Sequence, residues 1–234
     1  MIMTILTEPR IFEHVGIDLG YNDIEAETTS SGRKYKCPNG VSYPSVTTVL
    51  SILSEDGIRA WRKRVGEVEA NKISHRAATR GTAVHAIVED YINNKPNYTE
   101  GYMPNVVENF NDIKGILDER IGKVYAQEVP LYSDHLGLAG RVDCVAEFDG
   151  VLSIVDFKTS RKLKKKEWIE GYFIQESAYA VMWEERTGMP ITNLVTIISV
   201  DGAEAQVFKE HRDNWTPKLL ETIDEYAKRK MFGH

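Results

Sequence analysis

The chain has 234 residues, of which 42% are hydrophobic and 27% are charged. This size and composition are typical of one globular domain and exclude fibrous and wholly disordered proteins. The longest apolar run, Ala178–Trp183, is far shorter than the roughly 20 residues that cross a bilayer, so we expect no membrane association. The N-terminal Met1–Leu6 carries no basic residue, which favours a cytoplasmic protein that is not secreted.

The net charge is −6, yet the basic residues are concentrated in two segments. Segment 59–80 holds seven Lys and Arg residues against two Glu, and segment 158–170 holds six against two. Such polarisation creates a local positive field on an acidic protein, which suits a polyanionic ligand. The alternative is that each segment is a solvated helix face, and composition alone favours that alternative.

The first predicted elements in chain order are a hairpin and three helices. Asn39-Gly40 predicts a turn, and helices are predicted over 45–53, capped by its first serine, and over 56 to about 74. Helical spacing of the apolar residues in the second helix predicts that Trp61 lies in the core. Thr82 is predicted to cap a third helix, whose apolar stripe comprises Ala83, Val84, Ile87, Val88, Tyr91 and Ile92.

From residue 93 onward, a connection and a helix are followed by alternating apolar residues that indicate strands. Asp149-Gly150 is predicted to join two of these strands as a two-residue hairpin. The order of elements predicts one mixed α/β domain. The predicted elements are a connection over 93–104, a helix to about Gly122, strands over 124–131, 138–148 and 151–157, a helix over about 166–187, a hairpin of 194–200 with 205–210 about Asp201-Gly202, and a final helix opened by Thr216-Pro217.

The hairpin predicts an unfavourable pairing of charges. With a two-residue loop, Asp143 lies directly opposite Asp156, and Arg141 lies opposite Lys158. Directly opposed residues have Cβ atoms about 4.5–5.5 Å apart, where like charges are destabilising. Two carboxylates among apolar neighbours need a shared proton or a cation, and their oxygens suit Mg²⁺ or Mn²⁺. Lys158 lies on the same strand face as Asp156, and this arrangement suits metal-assisted hydrolysis of phosphodiesters.

Two other interpretations of these carboxylates remain open on the residues alone. In the first, Arg141 and Lys158 neutralise the two aspartates in ordinary ion pairs. In the second, carboxyl groups about 5 Å apart serve a retaining glycosidase. The glycosidase is disfavoured because Lys158 would hold the acid partner ionised when it must be protonated, and because helical stripes absorb most of the aromatic residues.

Four short motifs, in order, resemble those of the PD-(D/E)xK nucleases in their RecB-like branch. Gly140-Arg141-Val142-Asp143 and Asp156-Phe157-Lys158-Thr159-Ser160 resemble motifs II and III, Arg80–His85 resembles motif I, and Gln175–Tyr179 resembles the QxxxY motif. The segment Tyr43–Leu50, with Trp61 downstream, is similar to the mitochondrial genome maintenance exonucleases and their phage-encoded relatives. The match extends from about residue 43 to residue 180.

The resemblance implies a restriction-endonuclease-like α/β core with a central mixed sheet flanked by helices, plus an N-terminal helical region that helps to enclose a strand. We expect one nuclease domain over 1–234. Within it, about 1–75 would form the N-terminal hairpin and helices, about 76–210 the catalytic core, and about 211–234 a C-terminal helix.

The resemblance also implies a role for each matching residue. Asp143 and Asp156 would bind the metal together with the backbone carbonyl of Phe157, and Lys158 would orient the attacking water. His85 would be a further ligand, although a single histidine near a helix start is more often structural. The weaker candidates are Glu128 for a second metal, Glu89 as a partner of the imidazole, and Arg80 in the first motif.

Two groups of residues are candidates for contact with DNA. Gln175 and Tyr179 share a helix face that could meet the scissile phosphate or the terminal nucleotide, and the alternative is a hydrogen-bonding pair at the edge of the core. The basic run, residues 161–166, directly follows the catalytic strand, so it emerges near the site and phosphate contact is favoured there. The candidates in and before this run are Thr159, Ser160, Arg161, Lys164, Lys165 and Lys166.

The leading hypothesis is a Mg²⁺- or Mn²⁺-dependent DNA exonuclease that acts at single-stranded ends. The alternatives are an endonuclease and an inactive nucleic-acid-binding module of the same fold, and the intact set of Asp143, Asp156 and Lys158 argues against the inactive module. Two cysteines exclude a four-cysteine iron–sulfur cluster within this chain. Partners we expect are a helicase, a recombinase or a single-strand-binding protein, in a host cytoplasm if a phage encodes the chain.

Overall fold

The computed structural model describes residues 10–232, so the expectation for Met1–Leu6 lies outside the described residues. None of the helices in this range is both long enough and apolar enough to cross a membrane. The helices are α1 (Val46–Leu50), α2 (Glu55–Val65), α3 (Glu67–Ile92), α4 (Pro104–Arg120), α5 (Glu170–Thr187) and α6 (Thr216–Phe232). The strands are β1 (Ala26–Thr29), β2 (Gly32–Lys36), β3 (Ser42–Pro44), β4 (Ile121–Ser133), β5 (Leu138–Phe148), β6 (Val151–Ser160), β7 (Asn193–Val200) and β8 (Gln206–His211).

The centre of the fold is a five-stranded sheet in the order β4-β5-β6-β7-β8. β6 and β7 are parallel, and all the other neighbours are antiparallel. Parallel neighbours need a long crossover connection, and the segment containing α5 provides it. The mixed sheet flanked by helices confirms the predicted fold class, and the hairpins at Asp149-Gly150 and Asp201-Gly202 confirm the predicted strand pairs.

Apolar side chains alternate along the central strands and fill a core on each face of the sheet. Val155 and Phe157 pack with residues of α3 and α4, whereas Ile154 packs with residues of α5 such as Ile174 and Trp183. The alternation follows from the two-residue period of a strand. A slip of one residue would exchange the two cores, so burial on both faces fixes the register of the strands that carry the candidate site.

The hairpin of β5 and β6 has the predicted register, but its ladder ends early. Pairing extends from the turn to Cys144 and Val155 and stops there, one step before Asp143 and Asp156. β6 remains in the sheet beyond this point because Asp156 and the following residues pair in parallel register with β7, where Thr196 is the partner of Asp156. The two aspartates therefore lie at the place where β5 and β6 cease to pair.

Two helix boundaries differ from the prediction. The helix predicted over 56–74 ends at Val65, and Gly66, with φ of 85°, separates α2 from α3. Thr82, the predicted N-cap, is an internal residue of α3. The left-handed backbone at Gly66 favours glycine, whereas Gly81 is tolerated inside a helix at a cost of about 1 kcal/mol. As a result, α3 continues without a break from the N-terminal region into the core.

α2 contributes no fully buried side chain, so the predicted core position of Trp61 is wrong. Trp61 is half-buried, Ile58 is 48% exposed, and Val68 at the start of α3 is 71% exposed. The apolar spacing has the period of a helix, as expected. However, α2 packs mainly against α3 and the 3₁₀ turn Ser51–Leu53 instead of against the sheet.

The N-terminal strands form a second, three-stranded antiparallel sheet in the order β1-β2-β3. Asn39-Gly40 lies in the turn between β2 and β3, which confirms the predicted hairpin. After β3, the hydroxyl of Ser45 accepts a hydrogen bond of 3.0 Å from the backbone N–H of Thr48 and caps α1, as predicted. Tyr35 of this sheet packs with Tyr132 of β4, which attaches the small sheet to the large one.

Candidate active site

Asp143 lies where the β5–β6 ladder ends. Its side-chain carboxylate, instead of a backbone carbonyl of β5, accepts the hydrogen bond from the next free N–H of β6. Its Oδ2 accepts a hydrogen bond of 3.0 Å from the backbone N–H of Phe157. The contact ties β5 to β6 beyond their last paired residues. It also brings the carboxylate next to His85 of α3, with Oδ2 3.6 Å from the imidazole Nδ1.

His85 is held between a backbone carbonyl and two carboxylates. Its Nε2 lies 2.6 Å from the carbonyl oxygen of Phe157, and since a carbonyl can only accept, Nε2 must donate. Nδ1 then faces Asp143 and lies 3.9 Å from Glu128 Oε1. Burial by itself would lower the pKa of His85, but the neighbouring Glu128 and Asp143 outweigh it and raise the pKa to about 9. Without a metal, the imidazole is therefore protonated at neutral pH.

Glu128 approaches this histidine from an irregular position in β4. The pairs of Gln127 with Cys144 and of Val129 with Val142 place Glu128 across from Asp143. Its φ of 48° is uncommon for a residue other than glycine. A strained residue at a cluster of ionisable groups is a reason to suspect function.

Arg141 supports Glu128 and does not neutralise the aspartates. Its guanidinium donates to the backbone oxygen of Glu128 and, at 2.7 Å, to Asp23 Oδ1. The predicted placement of Arg141 opposite Lys158 is therefore not reached, because β5 and β6 have already ceased to pair there. The ion-pair interpretation consequently loses one of its two cations.

His85, Glu128 and Asp143, hereafter the trio, each offer one ligand atom, and these atoms lie within 4.8 Å of one another. All three residues are half-buried, so an ion could reach them from solvent. Two carboxylates and one imidazole form a donor set that suits a divalent first-row cation. The trio fits a metal site, with Glu128 in a more central place than the sequence suggested.

Asp156 and Lys158, hereafter the buried pair, form an ion pair on β6 in which Asp156 is buried and the Lys158 side chain is 21% exposed. Asp156 is 2% exposed, and its Oδ1 accepts a hydrogen bond of 3.3 Å from Gln175 Nε2. Burial raises the pKa of Asp156 to about 6, with Lys158 opposing and Asp143 reinforcing the rise. Burial alone would lower the pKa of Lys158, but Asp156 and Asp143 outweigh it, so the pKa rises and the ammonium stays charged. The ring of Tyr172 lies 5.1 Å from this ammonium.

Tyr179 is buried against the backbone of the second motif. A Cβ at Gly140 would lie 2.8 Å from the Tyr179 ring and 2.9 Å from its hydroxyl, so only glycine fits there. Burial, with the charges of Asp143 and Asp156, raises the pKa of Tyr179 well above its ordinary value. The structure thus brings Gln175 and Tyr179 together with both aspartates, and explains the glycine of the motif.

Glu176 belongs to the surroundings of the site, and sequence reasoning missed it. It is fully buried, and its Oε1 accepts a hydrogen bond from the hydroxyl of Thr196, the residue registered with Asp156. Burial and then the charge of Asp156 raise its pKa well above the ordinary value. The sequence contains a signal for it, because Glu176 is the single acidic residue in the mainly apolar stretch from Phe173 to Trp183, most of which is buried in the structure.

Two weaker candidates, Arg80 of the first motif and Glu89, lie on α3. Arg80 donates to both carboxylate oxygens of Asp201 at 2.7 and 2.8 Å, in the turn after β7. Glu89 lies one helical turn beyond His85, and burial and the nearby Glu128 raise its pKa. Among the described residues, Phe157, Asp143 and Glu128 provide the polar contacts of the imidazole, and Glu89 does not.

The residues after Lys158 have different surroundings. Thr159 is half-buried, whereas Ser160 is buried and its hydroxyl donates to the carbonyl oxygen of Lys162 at 2.6 Å, which shapes the turn out of β6. Arg161, Lys165 and Lys166 are exposed and Lys164 is half-buried. Lys166 forms an ion pair with Glu210, so this cation is already partly neutralised.

Comparison with known proteins identifies the family to which this arrangement belongs. The profile of the PD-(D/E)XK nuclease superfamily matches residues 102–232, more than half of the chain, and the chain belongs to this family. The matched region includes Glu128, Asp143, Asp156, Lys158 and α5. A nuclease family implies a nucleic-acid substrate.

Similar proteins include the mitochondrial genome maintenance exonuclease 1 of three vertebrates. The human protein is 25% identical over 216 residues, covering 80% of this chain and 59% of its own length. The Xenopus tropicalis protein is 26% identical over 211 residues, covering 80% of this chain and 58% of its own length. The mouse protein is 30% identical over 131 residues, covering 53% of this chain and 38% of its own length. The chain therefore spans less than two thirds of the length of these relatives.

A solved structure from Eubacterium rectale, provisionally described as an exonuclease, has a TM-score of 0.44 and 18% sequence identity over 65% of each chain. At this level of likeness it supports no further conclusion.

Proposed function

We propose that the protein is a metal-dependent DNA exonuclease that acts at single-stranded ends. The observation that carries the proposal is the convergence of the trio and the buried pair at the point where β5 and β6 cease to pair. The names of the relatives, which are exonucleases, support the type of cleavage. The segregated basic residues on an acidic chain support a polyanionic substrate.

A divalent cation, Mg²⁺ or Mn²⁺, would be held by the trio. Asp143 belongs to the trio and contacts the backbone of β6, so an ion held there lies close to the buried pair. Such an ion would lower the pKa of a bound water and balance charge on a phosphate. His85 and Glu128 orient the site from α3 and β4, and the carbonyl of Phe157 fixes the imidazole so that Nδ1 faces the ligand position.

Lys158 is the candidate for orienting the attacking water and for balancing negative charge that develops on the phosphate. Its ammonium is held by Asp156 and stays charged because the nearby carboxylates raise its pKa. Asp156 is in turn fixed by Gln175 of α5. Such a preorganised cation stabilises a transition state more than a mobile one, because little reorganisation is needed during the reaction.

The test is digestion of end-labelled linear single-stranded DNA, linear duplex and single-stranded circles, with Mg²⁺, with Mn²⁺ and with EDTA. We expect linear single strands to be degraded only with metal, while circles persist. Cleavage of circles would make the protein an endonuclease, and degradation in EDTA would contradict metal dependence. Asp156→Asn should be inactive, whereas Asp224→Asn, a matched change of an exposed carboxylate on α6, should retain activity.

Binding without cleavage by the unmodified protein under all metal conditions would support the inactive binding module. Digestion of RNA in preference to DNA would contradict the substrate that we propose while leaving the nuclease chemistry intact.

A further inference from the structure

A groove of about 650 Å³ lies between α1 and the beginning of α5. Its walls come from α1, the 3₁₀ turn Ser51–Leu53 and the segment from Glu167 to Gln175. They are mainly apolar, with Leu50, Leu53 and Trp168 among the lining side chains. The groove therefore offers apolar contact area next to the site.

Two residues that line the groove contact the buried pair. Gln175 lines the groove and donates a hydrogen bond to Asp156. Tyr172 also lines the groove, and its ring lies beside the ammonium of Lys158. The groove and the buried pair are therefore adjacent, with Gln175 and Tyr172 belonging to the surroundings of both.

Trp168 is the most exposed of the large hydrophobic residues that line the groove, with 66% of its surface accessible. An indole at this exposure is unusual, and the backbone that carries it is held by its neighbours. Its backbone N–H donates to the carbonyl of Lys165 at 3.0 Å, and the next residue, Ile169, is buried. Gln206 of β8 further holds the segment, since its side chain accepts from and donates to the backbone of Lys164 at 2.7 and 3.0 Å. Trp168 is thus an exposed aromatic ring on a turn whose backbone is held by hydrogen bonds.

The charges around the groove indicate which part of a strand would enter it. Two carboxylates, Glu167 and Glu170, line the groove together with one ammonium, that of Lys218, so the lining carries net negative charge and would repel phosphates. Lys165, in contrast, places its ammonium 5.4 Å from the centre of the Trp168 ring. A cation beside an exposed aromatic face is the combination with which proteins bind single strands, the cation contacting the backbone and the ring stacking on a base.

We propose that this groove binds the bases of the single strand next to the scissile phosphate, with Trp168 as the stacking surface and Lys165 as the phosphate contact. The inference rests on the proposed nuclease function and adds the path and orientation of the strand. Stacking accepts any base, so binding in the groove does not depend on sequence.

The test compares two strands of equal length and charge, oligo(dT) and the corresponding abasic oligonucleotide. Their affinities are measured by fluorescence anisotropy in EDTA, where we expect no cleavage. The unmodified protein should bind oligo(dT) more tightly than the abasic strand. Trp168→Ala should weaken oligo(dT) binding about tenfold while leaving abasic binding and the salt dependence unchanged. Trp168→Phe should restore most of the affinity, and Phe232→Ala, a matched exposed aromatic at the end of α6, should have no effect.

Other outcomes overturn the inference and separate it from the proposed function. If Trp168→Ala binds oligo(dT) as the unmodified protein does, and the unmodified protein still degrades DNA, the groove is not the path of the strand although the nuclease function holds. Equal loss of oligo(dT) and abasic binding would contradict stacking. If the unmodified protein neither binds nor degrades any strand, the nuclease proposal and the groove both fail.

Discussion

The trio and the buried pair are adjacent groups of ionisable residues, but they are built differently. The members of the trio come from α3, β4 and β5 and are half-buried. Those of the buried pair come from β6 alone, two residues apart, and Asp156 is almost inaccessible. Burial gives Asp156 a pKa of about 6, whereas the carboxylates around His85 give the imidazole a pKa of about 9.

Under the function that we propose, this difference gives each group its own task. At neutral pH the buried pair is already charged and internally neutralised, so it is a fixed electrostatic element. The trio carries a proton on His85 that an incoming cation would have to displace, so under the same proposal it would be an exchangeable binding site. Variants that change one group at a time test whether the two behave independently.

The largest effect is expected at the buried pair. Asp156→Asn should leave the largely buried ammonium of Lys158 without its counter-charge and destabilise the fold by up to roughly 3 kcal/mol. Lys158→Met should destabilise the fold in the same way, because it leaves the buried carboxylate of Asp156 without its ammonium partner. The double variant Asp156→Leu, Lys158→Met should recover much of that stability, because replacing both partners of a buried ion pair by apolar residues is often neutral. All three should lose at least about a hundredfold in activity. Urea unfolding and DNA digestion measure the two effects.

Asp143→Asn is the matched change in the trio. Its amide oxygen can still accept the N–H of Phe157, so the loss of stability should be smaller, although activity should fall as far. Equal destabilisation by Asp143→Asn and Asp156→Asn would contradict the distinction between an exchangeable and a fixed element.

A second prediction tests the ring that lies near both groups. Gly140→Ala should push a methyl group into the buried Tyr179 and cost about 1–3 kcal/mol in stability. Activity should fall as well, because the ring lies near Asp143 and Asp156. Gly115→Ala, in α4 where a Cβ meets open space, is the control and should gain up to about 1 kcal/mol. Unfolding curves that shift alike for both variants would show that Tyr179 is free to move.

Much of the fold could be predicted from the sequence because its signals are local. The turn at Asp149-Gly150 fixes the register of β5 and β6, and alternating apolar residues give the strands. The helical stripe from Val84 to Ile92 is buried as the pattern predicted. The break at Gly66 and the exposure of α2 were missed, since both depend on which surfaces the rest of the chain offers to α2.

The candidate site was predictable in its parts but not in its contacts. The pairing rule brought Asp143 near Asp156, yet it also placed Arg141 opposite Lys158, because no local signal shows where a ladder ends. The contact between His85 and Phe157 joins α3 to β6 across 72 positions, so only the folded chain reveals it. Glu128 was undervalued for a similar reason, since its positive φ has no signature in the sequence.

The third prediction concerns the proton on His85. With a pKa of about 9, the imidazole is protonated at pH 7.5, so binding a cation should release about one proton, and affinity should rise with pH up to about 9. Asp156 should contribute little, because its pKa of about 6 leaves it ionised at that pH. Calorimetric titration with Mn²⁺ in two buffers of different ionisation enthalpy counts the protons. His85→Ala should release almost none.

The same titrations distinguish a ligand from a bystander histidine. An imidazole ligand shifts preference toward softer first-row ions, so the unmodified protein should bind Mn²⁺ more tightly than Mg²⁺. The difference in affinity between Mn²⁺ and Mg²⁺ should be smaller in His85→Ala. Superimposable curves for the two proteins would remove His85 from the site and leave the buried pair unaffected.

The smallest effect is expected in the basic run, which lies outside both groups and should contribute binding without chemistry. Neutralising Lys164, Lys165 and Lys166 together should weaken single-strand binding. The slope of log affinity against log salt concentration should become shallower by roughly 0.7 for each phosphate contact that is lost. Lys166→Ala alone should change little, because its ammonium is already paired with Glu210. Lys165→Ala should account for more of the change, since its ammonium lies beside the exposed Trp168. Affinity measured across a range of salt concentrations separates these variants, and an unchanged slope in the triple variant would mean that the run is a solvated surface with no part in binding DNA.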